Sequence, residues 1–348
     1  MPSCLKCGTE LPVNEEGLAP VLCDRCAGVA TSRARQRMNA VGTMRDYPAM
    51  AALVAINLSV FIAMIINGGS PMGFSPDVLI RWGANWGPAT MSGDYWRLIT
   101  AGFVHGSIIH IAFNMWCLWS LCQLAERLFG SLITMGIYLL TGVAGALLSI
   151  AWNHGRLEVG ASGAIFGIAG AILSGIKFGN VSVGPMQRRQ IFSSLIFFII
   201  FNLTIGLGPG IDNMCHLGGL VSGLIFGVPL ATAQASGKKS FEWATLVLAG
   251  FVLAALGYQV IGANQDESRK VLIGQALHNG DFVEAAKILE KFTAAHPGDA
   301  QAHAVLGYVY AMNHENEKAI ATYKRALELN PGNSELRDAL EKLQQNGK

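Results

Sequence analysis

The chain has 348 residues, 51% of them hydrophobic and only 14% charged, well below the charged share of ordinary soluble domains. That balance excludes a conventional soluble globular protein. The formal net charge of +2 discriminates little by itself, but the placement of the charges along the chain is informative.

Residues 1–48 open with Cys4-x2-Cys7, fifteen intervening residues, and Cys23-x2-Cys26. Two CxxC pairs at this separation match a four-thiolate zinc ribbon or knuckle, in which each pair turns both sulfurs toward one tetrahedral ion. The set has no open position, so the expected role of Cys4, Cys7, Cys23 and Cys26 is structural; a redox dithiol is the lesser reading. A basic run from Arg33 to Arg37 follows. It reads as a membrane-topology signal, and no nucleic-acid partner is expected.

Seven apolar stretches come next, near 50–67, 103–125, 131–152, 162–178, 191–208, 214–232 and 243–262. Each approaches the roughly 20 residues that cross a bilayer core as a helix, and backbone inside lipid must be helical to satisfy its own polar groups. Lys and Arg gather at Arg33, Arg35, Arg37 and Arg45, at Arg127, at Lys177, Arg188 and Arg189, and at Lys238 and Lys239. The alternate connections carry only Arg81, Arg97 and Arg156. The positive-inside rule therefore puts the N-terminus in the cytoplasm, and seven crossings put the C-terminal region outside. The long first connection, 68–102, holds Trp82, Trp86, Tyr95 and Trp96 as interfacial aromatics.

Residues 264–348 are polar and helical, with an internal repeat. Pro297 and Pro331 are 34 residues apart, as are Ala285 and Ala319. Leu306-Gly307-x2-Tyr310, Ala319, Tyr323, Ala326 and Pro331 sit at the spacing of tetratricopeptide repeats, which this region resembles. The first copy fits less well, with Ile273 where glycine is usual. His278, His296, His303 and His314 show no ligand spacing and read as surface histidines. The expected domains are 1–48, a membrane core at 49–232, a loop and seventh span at 233–263, and the repeats at 264–348.

The polar residues inside the spans carry the chemistry. Gly160-Ala161-Ser162-Gly163 opens the fourth span. A helix N-terminus offers free backbone N–H groups, so a serine there has an oxyanion donor beside it. GxSG alone is a weak signal and more readily describes helix-packing glycines with Ser162 as an N-cap or packing residue. His216 changes the balance, because ionisable groups in spans are costly and functional by default. Gly219 and Gly223 let its helix approach the fourth span closely. Asp212, four residues earlier, fits either a third catalytic member or, preferably, a helix cap. On the second span His110 and Asn114 are spaced i, i+4 and face one way, with His105 nearby.

Taken together, Tyr95-Trp96-Arg97, His105-x4-His110-x3-Asn114, the GASG motif and His216-x2-Gly219-x3-Gly223 resemble the rhomboid family of intramembrane serine proteases. The resemblance covers 50–232. It implies an all-α polytopic fold with a six-helix core, here extended by a seventh span, an N-terminal zinc module and a C-terminal α-solenoid. It implies Ser162 as nucleophile, His216 as general base and acid, and His110, Asn114, Gly160 and the Ser162 amide as the oxyanion site. It implies no cofactor for catalysis and structural roles for Glu126 and the Trp96-Arg97 pair. Family members often have tyrosine four residues after the nucleophile, stacked under the histidine; here Phe166 stands there. The implied partners are transmembrane substrates and the surrounding bilayer, with a lateral gate at Phe192, Phe197, Phe198 and Phe201 and a protein partner for the repeats. The implied location is a bacterial cytoplasmic membrane. The competing expectation is a non-catalytic scaffold that binds membrane clients through the same fold.

Overall fold

A computed structural model describes residues 3–4, 7–10, 23, 44–153, 155–179, 184–208 and 210–346. The chain divides into two compact units, Met1–Pro48 and Ala49–Lys348. In the first, Ser3 and Glu10 form an isolated antiparallel bridge. The Cys4 amide donates to Thr9 O at 2.8 Å and the Gly8 amide to Cys4 O at 2.9 Å. Gly8, at φ +74°, supplies the left-handed residue that this tight turn needs.

The second unit is helical, and the site sits among its membrane helices. In chain order these are α1 (Pro48–Ile66), three short first-loop helices α2 (Pro76–Arg81), α3 (Gly87–Met91) and α4 (Arg97–Thr100), then α5 (Ile108–Phe129), α6 (Ser131–Trp152), α7 (Ser162–Phe178), α8 (Pro185–Ile205) and α9 (Asn213–Ala235). Strands β1 (Asn85–Trp86) and β2 (Leu157–Glu158) pair antiparallel, with Asn85 opposite Glu158. Among the described residues six helices are long and apolar enough to cross a membrane; α7, at 17 residues, is shorter and is the most completely buried.

The centre of the bundle is the contact of α7 with α9, with α6 against both. It is a glycine interface. A Cβ on Gly219 would collide with the carbonyl oxygen of Gly163, one on Gly223 with that of Gly167, and one on Gly227 would lie 2.8 Å from Ala171 Cα. Without side chains between them the two backbones touch, which is how helices associate where no hydrophobic effect separates protein from lipid.

Polar side chains fasten the periphery. The Glu126 carboxylate accepts from the amides of Ala49, at 3.2 Å, and Met50, at 2.7 Å. It thereby satisfies the free N–H groups at the start of α1 and complements that helix's dipole. Arg97 is buried and pins the first loop, donating to Asp94 at 2.9 Å, Ile80 O at 2.6 Å and Ala84 O at 3.2 Å. Its guanidinium lies 4.5 Å from the Trp96 ring centroid.

The sequence division at 263/264 falls inside one helix. The seventh span and the first repeat helix are continuous as α10 (Lys239–His278), 40 residues long. No Pro or paired Gly interrupts 239–278, so nothing breaks the backbone ladder where the chain turns polar. Ile273 and Ala276 of α10 then join Ala285 and Leu289 of α11 (Phe282–Ala295), Leu306 and Tyr310 of α12 (Ala300–Met312) and Ala319 of α13 (Asn316–Leu329) in one core. Ile273, in place of the usual glycine, serves as a core residue here. Helix α14 (Ser334–Asn346) closes the stack through Leu336, beside Tyr323 and Ala326. Further back along α10, buried Ser268 donates to the Met91 sulfur of α3 at 3.1 Å. The repeats therefore leave the membrane bundle on the first-loop side.

Candidate active site

Ser162 is the first residue of α7, and His216 lies in the first turn of α9. The glycine contact brings these two helix starts together, and His216 Nε2 stands 2.9 Å from Ser162 Oγ. That is hydrogen-bond distance, as proton transfer requires. His216 Nδ1 is buried and has no hydrogen-bond partner among the described residues, so no third group orients the ring from that side. Asp212 is instead the helix cap: its Oδ1 accepts from the amides of Met214, at 3.0 Å, and Cys215, at 3.1 Å. The ring is held by stacking. Phe166, one turn along α7, lies parallel to the imidazole at 4.4 Å with 8° between planes.

Gly160 precedes the serine in a conformation that only glycine adopts readily, φ +112°. A Cβ there would stand 2.7 Å from His110 Nε2 and 3.4 Å from Asn114 Nδ2. Both α5 side chains therefore converge on the backbone just before Ser162. The position sets backbone and side-chain donors beside the Ser162 hydroxyl, the composition that an oxyanion hole requires.

His105 does not belong to the second span as the hydrophobic pattern implied. Gly106 and Ser107 interrupt the helix, and Ser107 caps α5 by accepting from the His110 amide at 3.2 Å. His105 is fully buried in the preceding segment, its Nε2 3.5 Å from the Ala161 amide and its ring 5.1 Å from that of His110. It props the approach to Ser162. Phe198 of α8 reaches Phe166 at 5.7 Å, while Phe192, Phe197 and Phe201 are exposed on the outside of that helix.

Glu158, four residues before Ser162, is a buried acid that pattern reading passed over. Cys215 Sγ donates to its Oε1 at 3.5 Å, and its Oε2 is buried without a partner among the described residues. Burial, with Asp212 adding to it and Asn85 opposing, pushes the carboxyl up to about 7. Its sequence signal was an acid set between Leu157 and Val159, immediately before the GASG motif.

In the N-terminal unit the sulfurs of Cys4, Cys7 and Cys23 all lie within 4.8 Å of one another, with Cys7 and Cys23 at 3.6 Å. A tetrahedral ion with bonds of about 2.3 Å sets its thiolates about 3.8 Å apart, so these three fit one zinc. Cys26 lies outside the described residues.

Residues 92–233 match the family model described as Rhomboid domain, and residues 276–343 match Tetratricopeptide repeat. The chain is 29% identical to rhomboid protease GluP of Bacillus subtilis over 280 residues, 80% of this chain and 54% of that protein. It is 36% identical over 172 residues to RHOMBOID-like protein 6, mitochondrial, of Arabidopsis thaliana, 49% of this chain and 55% of that one. It is 32% identical over 197 residues to rhomboid protease AarA of Providencia stuartii, covering 51% of this chain and 70% of that protein. The chain thus spans about half the length of the first two relatives.

Proposed function

The chain belongs to the rhomboid family and is a multi-pass membrane protein; from that premise we propose that it is an intramembrane serine endopeptidase, cleaving transmembrane segments with a Ser162–His216 dyad. The observation that carries the proposal is the 2.9 Å contact between Ser162 Oγ and His216 Nε2 across two glycine-packed helices.

Neutral His216 takes the hydroxyl proton on Nε2 as Oγ attacks the scissile carbonyl carbon. The carbonyl oxygen gains the negative charge and is held by the Ser162 amide with His110 and Asn114, while Gly160 leaves room for it. As the tetrahedral adduct collapses, the imidazolium returns its proton to the leaving nitrogen and the C–N bond breaks, leaving an ester on Ser162. Water then attacks the ester with the same imidazole as base, releasing the acid and restoring the hydroxyl. Stacking on Phe166 keeps the ring aligned through both halves. These residues supply nucleophile, base and oxyanion donors, so the chemistry calls for no cofactor.

A helical peptide bond is shielded by its own turn, so a substrate must locally unwind to present an extended carbonyl. Segments with Gly, Pro or polar residues near the outer end suit this site, and Phe197 and Phe201 on α8 border the route from lipid. The charge pattern supports a cytoplasmic N-terminus and repeats on the outer side, and the likeness to the Bacillus subtilis and Providencia stuartii proteases supports a bacterial cytoplasmic membrane. A structural Zn2+ on Cys4, Cys7, Cys23 and Cys26 would cross-link the N-terminal unit, and the repeats would recruit the substrate's exposed part or a partner protein. The scaffold reading is disfavoured because a non-catalytic binder has no use for a serine and an imidazole in contact. Reconstituted protein mixed with a fluorogenic transmembrane substrate tests the proposal: cleavage by the wild type that Ser162→Ala and His216→Ala abolish is the expected result.

A further inference from the structure

The first turn of α9, which carries His216, is linked to the approach strand of Ser162 through the side chain of Glu158. The Cys215 side chain fits between α6 and α7 because both face it with glycine: a Cβ on Gly145 would lie 3.0 Å from its Sγ, and one on Gly163 2.6 Å. From that slot its thiol reaches Glu158 Oε1 at 3.5 Å. Glu158 is itself held by β1, through the Asn85–Glu158 register. Asn85 in turn accepts from Thr90 at 2.8 Å and donates to Ala146 O at 3.2 Å. First loop, α6, nucleophile strand and histidine helix thus meet at one carboxyl, two residues before Gly160 and adjacent to the residue that precedes His216.

We propose, building on the protease reading, that Glu158 is a positioning residue of the dyad that works only as the neutral acid, so that its ionisation loosens the Ser162 approach and switches hydrolysis down. The surroundings favour the neutral form on geometry alone. Oε2 has no donor among the described residues, and the Cys215 thiol on Oε1 with the opposing Asn85 side chain offsets only part of the desolvation cost of a buried carboxylate, a cost that a neutral acid carries far less. The titratable and charged groups facing it are Asp212 and Cys215 at the start of α9, Arg156 on its own segment and Tyr138 of α6 across a shared small space. Arg156 does not offset the charge of Glu158. It is engaged with Asp212 at 3.9 Å and with Ile211 O at 2.5 Å, while Ser149 donates to Asp212 at 2.5 Å. The elevated carboxyl value, about 7, sets the switch in the neutral range.

Glutamine mimics the neutral acid and cannot ionise. The test measures cleavage by full-length wild type, Glu158→Gln and Glu158→Ala from pH 6 to 8.5, together with thermal unfolding of each from pH 4.5 to 8. The expected result is that Glu158→Gln restores the turnover that Glu158→Ala loses at pH 6. The ratio of Glu158→Gln to wild-type kcat then rises by about fivefold or more toward pH 8.5, with little change in KM. Between the ordinary carboxylate value of 4.5 and about 7 the folded chain keeps a proton that the unfolded chain has lost. Wild-type stability therefore falls as pH rises through that window and levels off above it, whereas Glu158→Gln lacks this slope. A flat activity ratio, or a Glu158→Gln variant as impaired as Glu158→Ala, overturns the inference. If wild type cleaves nothing, the protease reading fails separately. The unfolding profiles then decide the matter alone: parallel slopes sink the neutral-acid clamp, and a slope lost in Glu158→Gln sustains it.

Discussion

The Phe166 ring lies flat beneath the His216 imidazole, 4.4 Å away and 8° from parallel. With His216 Nδ1 unpartnered among the described residues, this stack is what fixes the plane of the imidazole. Stacked pairs contribute about 0.5–1.5 kcal/mol beyond burial, so losing the ring costs about 2- to 10-fold in kcat at least. Phe166→Tyr should stay within about twofold of wild type, because the added hydroxyl changes the stack little. Phe166→Leu should lower kcat with KM nearly unchanged, as steady-state kinetics on one fluorogenic substrate will show.

Gly219 of α9 abuts the Gly163 carbonyl of α7, and Gly223 that of Gly167. Any side chain at 219 pushes apart the helices that hold His216 and Ser162. Gly219→Ala should destabilise by about 1–3 kcal/mol, the usual cost of overpacking. Its activity should fall by more than its thermal shift accounts for, because displacement at the reacting atoms is penalised steeply. Gly250 of α10, which meets only Leu140 at 3.9 Å, is the control: Gly250→Ala should leave cleavage unchanged.

Much of this was readable from residues alone. The seven apolar runs follow from composition, because lipid leaves a spanning backbone little choice but helix. Ser162 stood out because a GASG motif opens its apolar helix, His216 because an imidazole is costly inside a span, and His110 and Asn114 because i, i+4 puts them on one face. The hidden parts depended on contacts distant in sequence. Glu158 looks like an ordinary loop acid until β1 and Cys215 close over it, and His105 looks helical until Ser107 caps α5 after it. The division between seventh span and repeats was drawn where polarity changes, but helical hydrogen bonding is indifferent to that change and α10 runs through it.

That continuity specifies how to truncate. A stop after His278 keeps α10 and the Ser268–Met91 contact at 3.1 Å while removing α11 to α14. This variant should cleave a minimal transmembrane substrate at the wild-type rate and process a natural substrate with a large outer domain more slowly. Equal losses on both would remove substrate recruitment as the role of the repeats.

The clustered sulfurs of Cys4, Cys7 and Cys23 predict about one zinc per chain by elemental analysis, as a four-thiolate site holds a single ion. Cys4→Ser should lower that content to near zero, and a strong chelator should do the same to the wild type. Because binding free energy of such a site is folding free energy, limited proteolysis of residues 1–48 should accelerate in both cases.

The most direct measurement of the central claim is turnover of a transmembrane substrate by the purified chain in liposomes, with Ser162→Ala and His216→Ala alongside. The account predicts cleavage by wild type and a loss of about three orders of magnitude or more in each variant, because the two side chains act as a unit. Comparable turnover in either variant, with the fold intact by circular dichroism, would contradict it.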